Sequence, residues 1–258
     1  MNMNNLRAVY AIWLRDVIRF KRDKARVVSS LAQPALFLFV FGNGLAQGLS
    51  INVASGGARS GYVAFIFPGI IGMTLLFTSM FAGVSIVWDR EFGFLKEVMV
   101  APIARASVAV GKALGGSTIS LIQGAIVLLF SPLLGVRLSP LIIIIILPVM
   151  LLISFSLTSM GIVIAARMDS MEGVQMIMNF LIMPLFILSG AMFPLTRLPV
   201  WLRSLTRADP LSYGVDALRG LILGPKLAEF SLAFDLTVMA VFGAAMISAA
   251  VYFFERQR

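Results

Sequence analysis

The stretch PLIIIIILPVMLLISFSLTSMGIVIAA, residues 140–166, runs for 27 residues without one charged side chain. An apolar run of about 18 residues or more is the signature of a helix that crosses a bilayer. Hydrocarbon offers no water to a bare amide, so the crossing segment must satisfy its own backbone, and an α-helix does that. Five other runs share the character at about 29–48, 62–87, 107–130, 174–193 and 232–253, so six spans are expected. Composition agrees. Of 258 residues, 59% are hydrophobic and 13% charged, where a soluble domain carries about 25% charged residues. The ten-residue alternation of an outer-membrane barrel is absent. The expected fold class is an all-α membrane protein with one membrane domain, residues 29–258, preceded by a segment 1–28 of different character.

Orientation is read from Lys and Arg, which collect on the cytoplasmic side of short loops. Seven precede the first run: Arg7, Arg15, Arg19, Lys21, Arg22, Lys24 and Arg26. The 88–112 segment adds Arg90, Lys96, Arg105 and Lys112, the next loop on that side Arg167, and the end of the chain Arg256 and Arg258. That side therefore holds 14 of the 21 basic residues, and both termini are expected in the cytoplasm. The net charge of +9 then belongs with anionic lipid headgroups rather than with nucleic acid. A cleavable signal peptide is not expected, because the first 28 residues are too charged to hold an apolar core.

The chain has no Cys and no His. Disulfides, thiol nucleophiles, imidazole bases and the common zinc ligand sets are excluded together. No catalytic residue and no metal ligand set is proposed. An intramembrane enzyme would need a clustered carboxylate pair, which is missing, or a Ser–Lys pair involving Lys112, which no motif supports.

Three segments are neither span nor simple loop. In LRAVYAIWLRDVIRFKRDKAR, residues 6–26, the apolar residues Leu6, Val9, Tyr10, Trp13, Leu14 and Val17 recur at helical spacing. Arg7, Arg15, Arg19 and Arg22 take the other face. Such a helix lies in the headgroup plane, with Tyr10 and Trp13 at the depth aromatic rings prefer. A topology anchor and a docking surface are compatible readings of it.

The second is WDREFGFLKEVMVAPI, residues 88–103, between spans two and three. Asp89 is suited to cap a helix and Glu91 to sit in its first turn. Phe92, Leu95 and Met99 follow at i, i+3 and i+7, Phe94 and Val98 form a neighbouring pair, and Pro102 ends the run. The product is a helix of about three turns, roughly 15 Å long. Its apolar side chains need either lipid or a protein groove. The groove is favoured, because Asp89, Glu91 and Glu97 offset Arg90 and Lys96, while a lipid-facing helix carries a basic surplus.

The third is FPLTRLPVWLRSLTRADPLSYGVDALRGLILGPK, residues 193–226, external by the orientation above. Pro194, Pro199, Pro210 and Pro225 divide it, and LPVWLRSLT and SYGVDALRGLIL each suit a short helix dipping into the outer leaflet. It reads equally as a cap on the bundle and as a gate over an exit path.

This layout resembles the ABC-2 family, the membrane subunits of bacterial ABC exporters. The likeness rests on the six spans, the in-plane helix, the WDREFGFLKEVMVAPI loop and the ADPLSYGVDALRG stretch, and covers essentially the whole chain. The length and short external loops are most similar to the daunorubicin-resistance and nodulation-factor export branch. The resemblance implies a bacterial inner-membrane half-transporter working with a second permease copy or paralogue and two separate ATP-binding cassette subunits. ATP and magnesium would be bound by those partners, and this chain would hold no cofactor. Glu91, Phe92, Gly93, Phe94, Leu95, Lys96, Glu97, Met99 and Pro102 would form a coupling helix seated on the ATPase. Trp13, Arg15, Arg19 and Arg22 would mark the interfacial helix, and Pro210, Tyr213, Asp216 and Arg219 an external gate. Polysaccharide and O-antigen exporters share the architecture and stand as an alternative.

The sequence itself bears on one part. Nothing matches G-x-x-x-x-G-K-[ST]; the nearest text, GKALGGST at 111–118, has the wrong order, so the chain is not its own ATPase. A path for a hydrophobic or amphipathic compound (drug, lipid or lipid-linked glycan) would draw on Phe37, Phe41, Asn43, Phe77, Phe81 and Phe186, which otherwise read as packed or lipid-facing. Asp235, one turn into span six, is expected to pair with a loop arginine such as Arg219. Gln123 in span three suits a hydrogen bond across helices. A passive channel or scramblase with a regulatory partner is the competing function.

Overall fold

The computed structural model describes residues 3–44, 58–91, 104–136, 138–168, 170–194 and 199–256. Among them are nine α-helices and no strand. They are α1 (Met3–Arg22), α2 (Lys24–Gly44), α3 (Ala58–Glu91), α4 (Arg105–Leu128), α5 (Pro140–Ala166), α6 (Met171–Leu188), α7 (Val200–Ala208), α8 (Pro210–Leu223) and α9 (Leu232–Arg256).

Four of these, α3, α4, α5 and α9, are long and apolar enough to cross a membrane. The other two expected spans fall on α2 and α6, both helical; α6 is a shorter apolar helix. The chain is thus an all-helical, multi-pass membrane protein. Local signals set the starts. Ser139 caps α5 by accepting from the Ile142 amide, and Ser170 caps α6 by accepting from Gly173. Pro140 and Pro210 occupy first turns, where a missing amide costs nothing. Pro34, Pro68, Pro148 and Pro184 lie inside helices, which packed neighbours tolerate in membrane bundles.

Helix α3 is the axis. Most of it is buried, with α5, α4, α2 and α8 packed around it. At its crossing with α5, a Cβ on Gly83 would meet the Thr158 carbonyl oxygen at 2.7 Å, and one on Gly161 the Met80 carbonyl oxygen at 2.9 Å. Only glycine lets these backbones touch. Polar links cross the same core: Ser154 donates to Ser120, which donates to the Leu75 carbonyl, and Ser156 donates to that of Met239. A large apolar core fills the middle of the bundle and the end carrying α8. A smaller one, built from Ile12, Ile86, Val108, Ala109, Ala113, Ile162, Ala166, Ala250 and Phe254, ties α1 to the opposite end.

The two short helices expected near 198–206 and 212–223 are found as α7 and α8. Helix α7 leaves Val200, Trp201 and Leu205 exposed, whereas α8 is buried from Leu211 to Arg219.

Candidate functional site

Two features share the α1 end of the bundle: a buried ion cluster and a cleft beside it. The cluster begins with α1, whose face toward the protein differs from the one its apolar stripe suggests. Ile12, Asp16 and Phe20 are buried, while Leu6 and Tyr10 of the stripe are exposed. Leu6 and Tyr10 therefore face outward, as suits a lipid interface, Val9, Trp13, Leu14 and Val17 are half-buried beside them, and the inward face carries a charge. Packing against α4 is close. A Cβ on Gly111 would come within 3.0 Å of the Ile12 side chain, and one on Gly115 within 3.1 Å of Asp16. Trp13 donates its indole N–H to Thr118 at 3.0 Å.

Lys112, 2% exposed, sits between two carboxylates: its Nζ lies 3.0 Å from Asp16 Oδ2 and 2.5 Å from Asp89 Oδ2. Arg15 donates from Nη2 to Asp89 at 2.8 Å and to Asp16 at 2.9 Å, and Arg19 stands 3.7 Å from Asp89. Three cations thus share two carboxylates, and the pairing offsets the desolvation that would exclude isolated charges. Burial by itself would lower the pKa of Arg15, but Asp16 and Asp89 more than compensate and hold it above the ordinary guanidinium value. Lys112 lies 3.4 Å from Ser85 Oγ; with two carboxylates on it, the amine is an ion-pair partner and not a base for that serine. Asp89 corrects a sequence reading: it lies inside α3, which continues to Glu91, and binds Arg15 and Lys112 instead of capping a following helix.

The cleft, about 710 Å³, opens between α1, α2, α3, α4 and α6. Phe77, Phe81, Met73 and Met178 make an apolar wall, Gln33, Gln175, Thr74, Thr78 and Gln123 supply polar groups, and Arg19, Ser85 and Trp88 stand at the cluster end. Thr78 donates to the Gln123 side-chain oxygen, so that expected bond across helices joins α3 to α4. From Trp88 to Thr74 is fourteen residues, about 21 Å of helix.

The sequence-derived candidates separate on this geometry. Phe77 and Phe81 line the cleft. Phe37 and Phe186 meet edge-on at 5.9 Å between α2 and α6, with Phe186 buried, and do not line it. The Phe41, Asn43 and Glu91 side chains, and residues Phe92, Gly93, Phe94, Leu95, Lys96, Glu97, Met99 and Pro102, lie outside the described residues. Trp13, Arg15 and Arg19 join the cluster region, and Arg22 closes α1. Among the described residues no group of Asp and Glu is gathered to hold a metal ion.

At the far end, Pro210, Tyr213, Asp216 and Arg219 do come together, in the first three turns of α8. The Asp209 carboxylate caps the helix by accepting from Leu211 at 2.9 Å. Tyr213 donates to the Arg207 carbonyl at 2.8 Å. Asp216 accepts from the amides of Glu229 and Phe230, and Arg219 donates to the Gly190 carbonyl at 2.7 Å while lying 4.3 Å over the Phe65 ring. Burial lowers the Arg219 pKa to about 10, only partly offset by Asp216. The expected Asp235–Arg219 pair is not formed: Arg219 stands 4.0 Å from Asp216, and neither Asp235 oxygen has a hydrogen-bond partner among the described residues.

The described residues hold packed helices, a cleft part-way through them and ions at the helix ends, an arrangement that suits a permease. The model of the ABC-2 type transporter family matches residues 7–223. The chain belongs to the ABC-2 type transporter family. Its ABC-2 relatives cover most of its length. One is ycf38 of Cyanophora paradoxa, which carries a transport-permease name and is 27% identical over 250 residues, 96% of this chain and 85% of that protein. Nodulation protein J of Rhizobium leguminosarum bv. trifolii is 27% identical over 222 residues, 85% and 82% of the two chains. Nodulation protein J of Rhizobium meliloti (strain 1021) is 25% identical over 225 residues, 86% and 84%. The ABC-2 domain is a membrane permease domain and not itself the ATPase.

The sequence reading missed Asp16 and gave Lys112 and Asp89 other roles than the ion pairs they form. One signal was available. An aspartate between the apolar residues of α1 and a lysine inside the small-residue run GKALGG both demand an opposite charge once buried.

Proposed function

We propose that the chain is the membrane subunit of an ATP-driven exporter that moves a hydrophobic or amphipathic compound out of the cytoplasm or the inner leaflet. The observation that carries this reading is the cleft. It runs about 21 Å along α3, some two thirds of a hydrocarbon core of about 30 Å, and ends at Trp88 near the close of α3. Apart from Arg19 and Asp23, its lining is an apolar wall with scattered uncharged polar groups, which suits a compound with an apolar body and a hydrogen-bonding end; a pathway for small ions would carry charged or carbonyl rings. Positive-inside orientation puts α1 and residues 92–103 in the cytoplasm. There the segment from Glu91 to Pro102 acts as the coupling helix of a separate ATP-binding subunit, in an assembly of two permeases and two ATPases in the bacterial inner membrane. The family supports the ATPase partner, since its members normally work with one. Residues 210–219 act as the external cap, opened by motion of the helices beneath.

The test is reconstitution with the cognate ATP-binding subunit in liposomes. A stable complex should form, and export should require ATP. Glu91→Arg combined with Leu95→Asp is expected to cut complex formation at least tenfold while the permease remains folded. Transport without nucleotide would favour a passive channel or scramblase, and intact assembly of the double variant would remove the coupling assignment.

A further inference from the structure

We propose that the cleft selects its cargo by the head group, taking an amphiphile whose uncharged head both donates and accepts hydrogen bonds, and that Gln33 of α2 and Gln175 of α6 read that head. The inference rests on the exporter reading and adds to it what the cleft accepts and which side chains decide.

The polar groups of the lining are not equally available. Thr74 donates to the Ile70 carbonyl and Thr78 to the Gln123 side chain. Ser85 donates to the Ala82 carbonyl and accepts from Lys112. Arg19 stands 3.7 Å from Asp89. Gln33 is half-buried and Gln175 exposed, and neither carboxamide has a hydrogen-bond partner among the described residues. They face one cleft from two helices that both pack on α3. A carboxamide offers two N–H donors and an acceptor oxygen. An amide or hydroxyl head matches both functions, a carboxylate only accepts, and a quaternary ammonium does neither.

Charge points the same way. The ionic groups of the lining, Arg19 and Asp23, are one of each sign and both belong to the α1 end. Beyond them the lining carries no ionic side chain, so a charged head drawn further in would lose its water and meet no counter-ion. An uncharged head exchanges water for the two carboxamides. Gln175 lies three residues before Met178, and both line the cleft, so one face of α6 offers a polar contact beside an apolar one.

Binding is read on the full-length permease in nanodiscs, without an ATPase in the measurement. Trp13→Phe with Trp201→Phe leaves Trp88, at the cluster end of the cleft, as the single tryptophan of the three. Its fluorescence is quenched by amphiphiles that share one brominated acyl chain and differ in the head: ethanolamide, trimethylammonium or carboxylate. Displacement by unbrominated ethanolamide, at constant total amphiphile, separates a saturable site from partition into the bilayer. The ethanolamide should half-saturate at a concentration about tenfold below either charged probe. Gln33→Leu with Gln175→Leu should raise that concentration about tenfold and move the charged probes by less than about twofold. Gln33→Glu should turn the preference toward trimethylammonium, a gain of affinity that no folding defect produces. Equal half-saturation by the three heads overturns the selection. Unchanged ethanolamide binding in the leucine pair removes the two glutamines from it. Quenching that nothing displaces overturns it as well, because the cleft then holds no amphiphile. The exporter reading fails on a different result, export by the assembled complex without ATP, whatever head the cleft prefers.

Discussion

At the scale of single residues, the two ends of the bundle treat buried charge differently. Arg219 is buried and donates to a carbonyl, so Arg219→Leu strands the Gly190 carbonyl and takes the cation from Asp216, which keeps only the Glu229 and Phe230 amides. Breaking a buried pair costs about 3–5 kcal/mol, and thermal denaturation in detergent should show a loss of that order. Asp235 is the reverse case, a buried carboxylate with no hydrogen-bond partner among the described residues. Asp235→Leu should therefore be neutral or stabilising, and a large loss would mean that it has a partner in the folded protein. Asp209 supplies a pH signature. Burial lifts its pKa to about 7, against the opposing bonds from Leu211 and Ser212. The folded state then keeps a proton that the unfolded chain gives up near pH 4. The contribution to stability is full below that pH and is lost as the pH rises through about 7. Melting temperature should fall between pH 5 and pH 8. Asp209→Asn, which retains the cap, should flatten that slope, and an unchanged slope would show that Asp209 is not its source.

At the scale of elements, α1 is the instructive case. Its apolar periodicity announced a helix, and the helix is there, yet the stripe could not say which face meets protein. That choice belongs to Gly111 and Gly115, which remove side-chain bulk on α4, and to Lys112 between them, which attracts Asp16. A bulky residue at Gly115 should therefore act on α1 although it lies on another helix. Gly115→Leu is expected to cost about 1–3 kcal/mol as an overpacked contact and to raise hydrogen exchange in residues 9–20, while Tyr10→Ser on the exposed face leaves both unchanged. The pairs 62–87 with α3, 140–166 with α5 and 232–253 with α9 were legible for a simpler reason. A long uncharged run has one solution in a bilayer.

At the scale of the whole molecule, the cleft joins groups that no local pattern relates: Gln33 of α2, Phe77 and Phe81 of α3, Gln123 of α4 and Met178 of α6. Phe37 and Phe186 have the same side chain and equal claim by sequence, but they pack on each other and do not line the cleft. The proposed transport path therefore divides the phenylalanines. Phe77→Ala with Phe81→Ala should shift the concentration of a hydrophobic probe that half-maximally stimulates the assembled ATPase by about thirtyfold, given about 1 kcal/mol per lost ring contact. Phe37→Ala should leave it unchanged; equal effects at both sites would remove the cleft as the path.

Hydropathy and charge placement alone determined that this is a helical membrane protein, where its long helices lie, and that it carries no ATPase motif. These properties are set by transfer to hydrocarbon and by local geometry, so each is written within a window of some twenty residues. Only the tertiary structure decided that Asp16, Asp89 and Lys112 meet, that α1 turns Asp16 inward with Ile12 and Phe20, and that Asp235 stays apart from Arg219. Those outcomes depend on which helices approach closely enough to exclude water. The distance between two buried charges is fixed by packing between segments as far apart as residues 16 and 112.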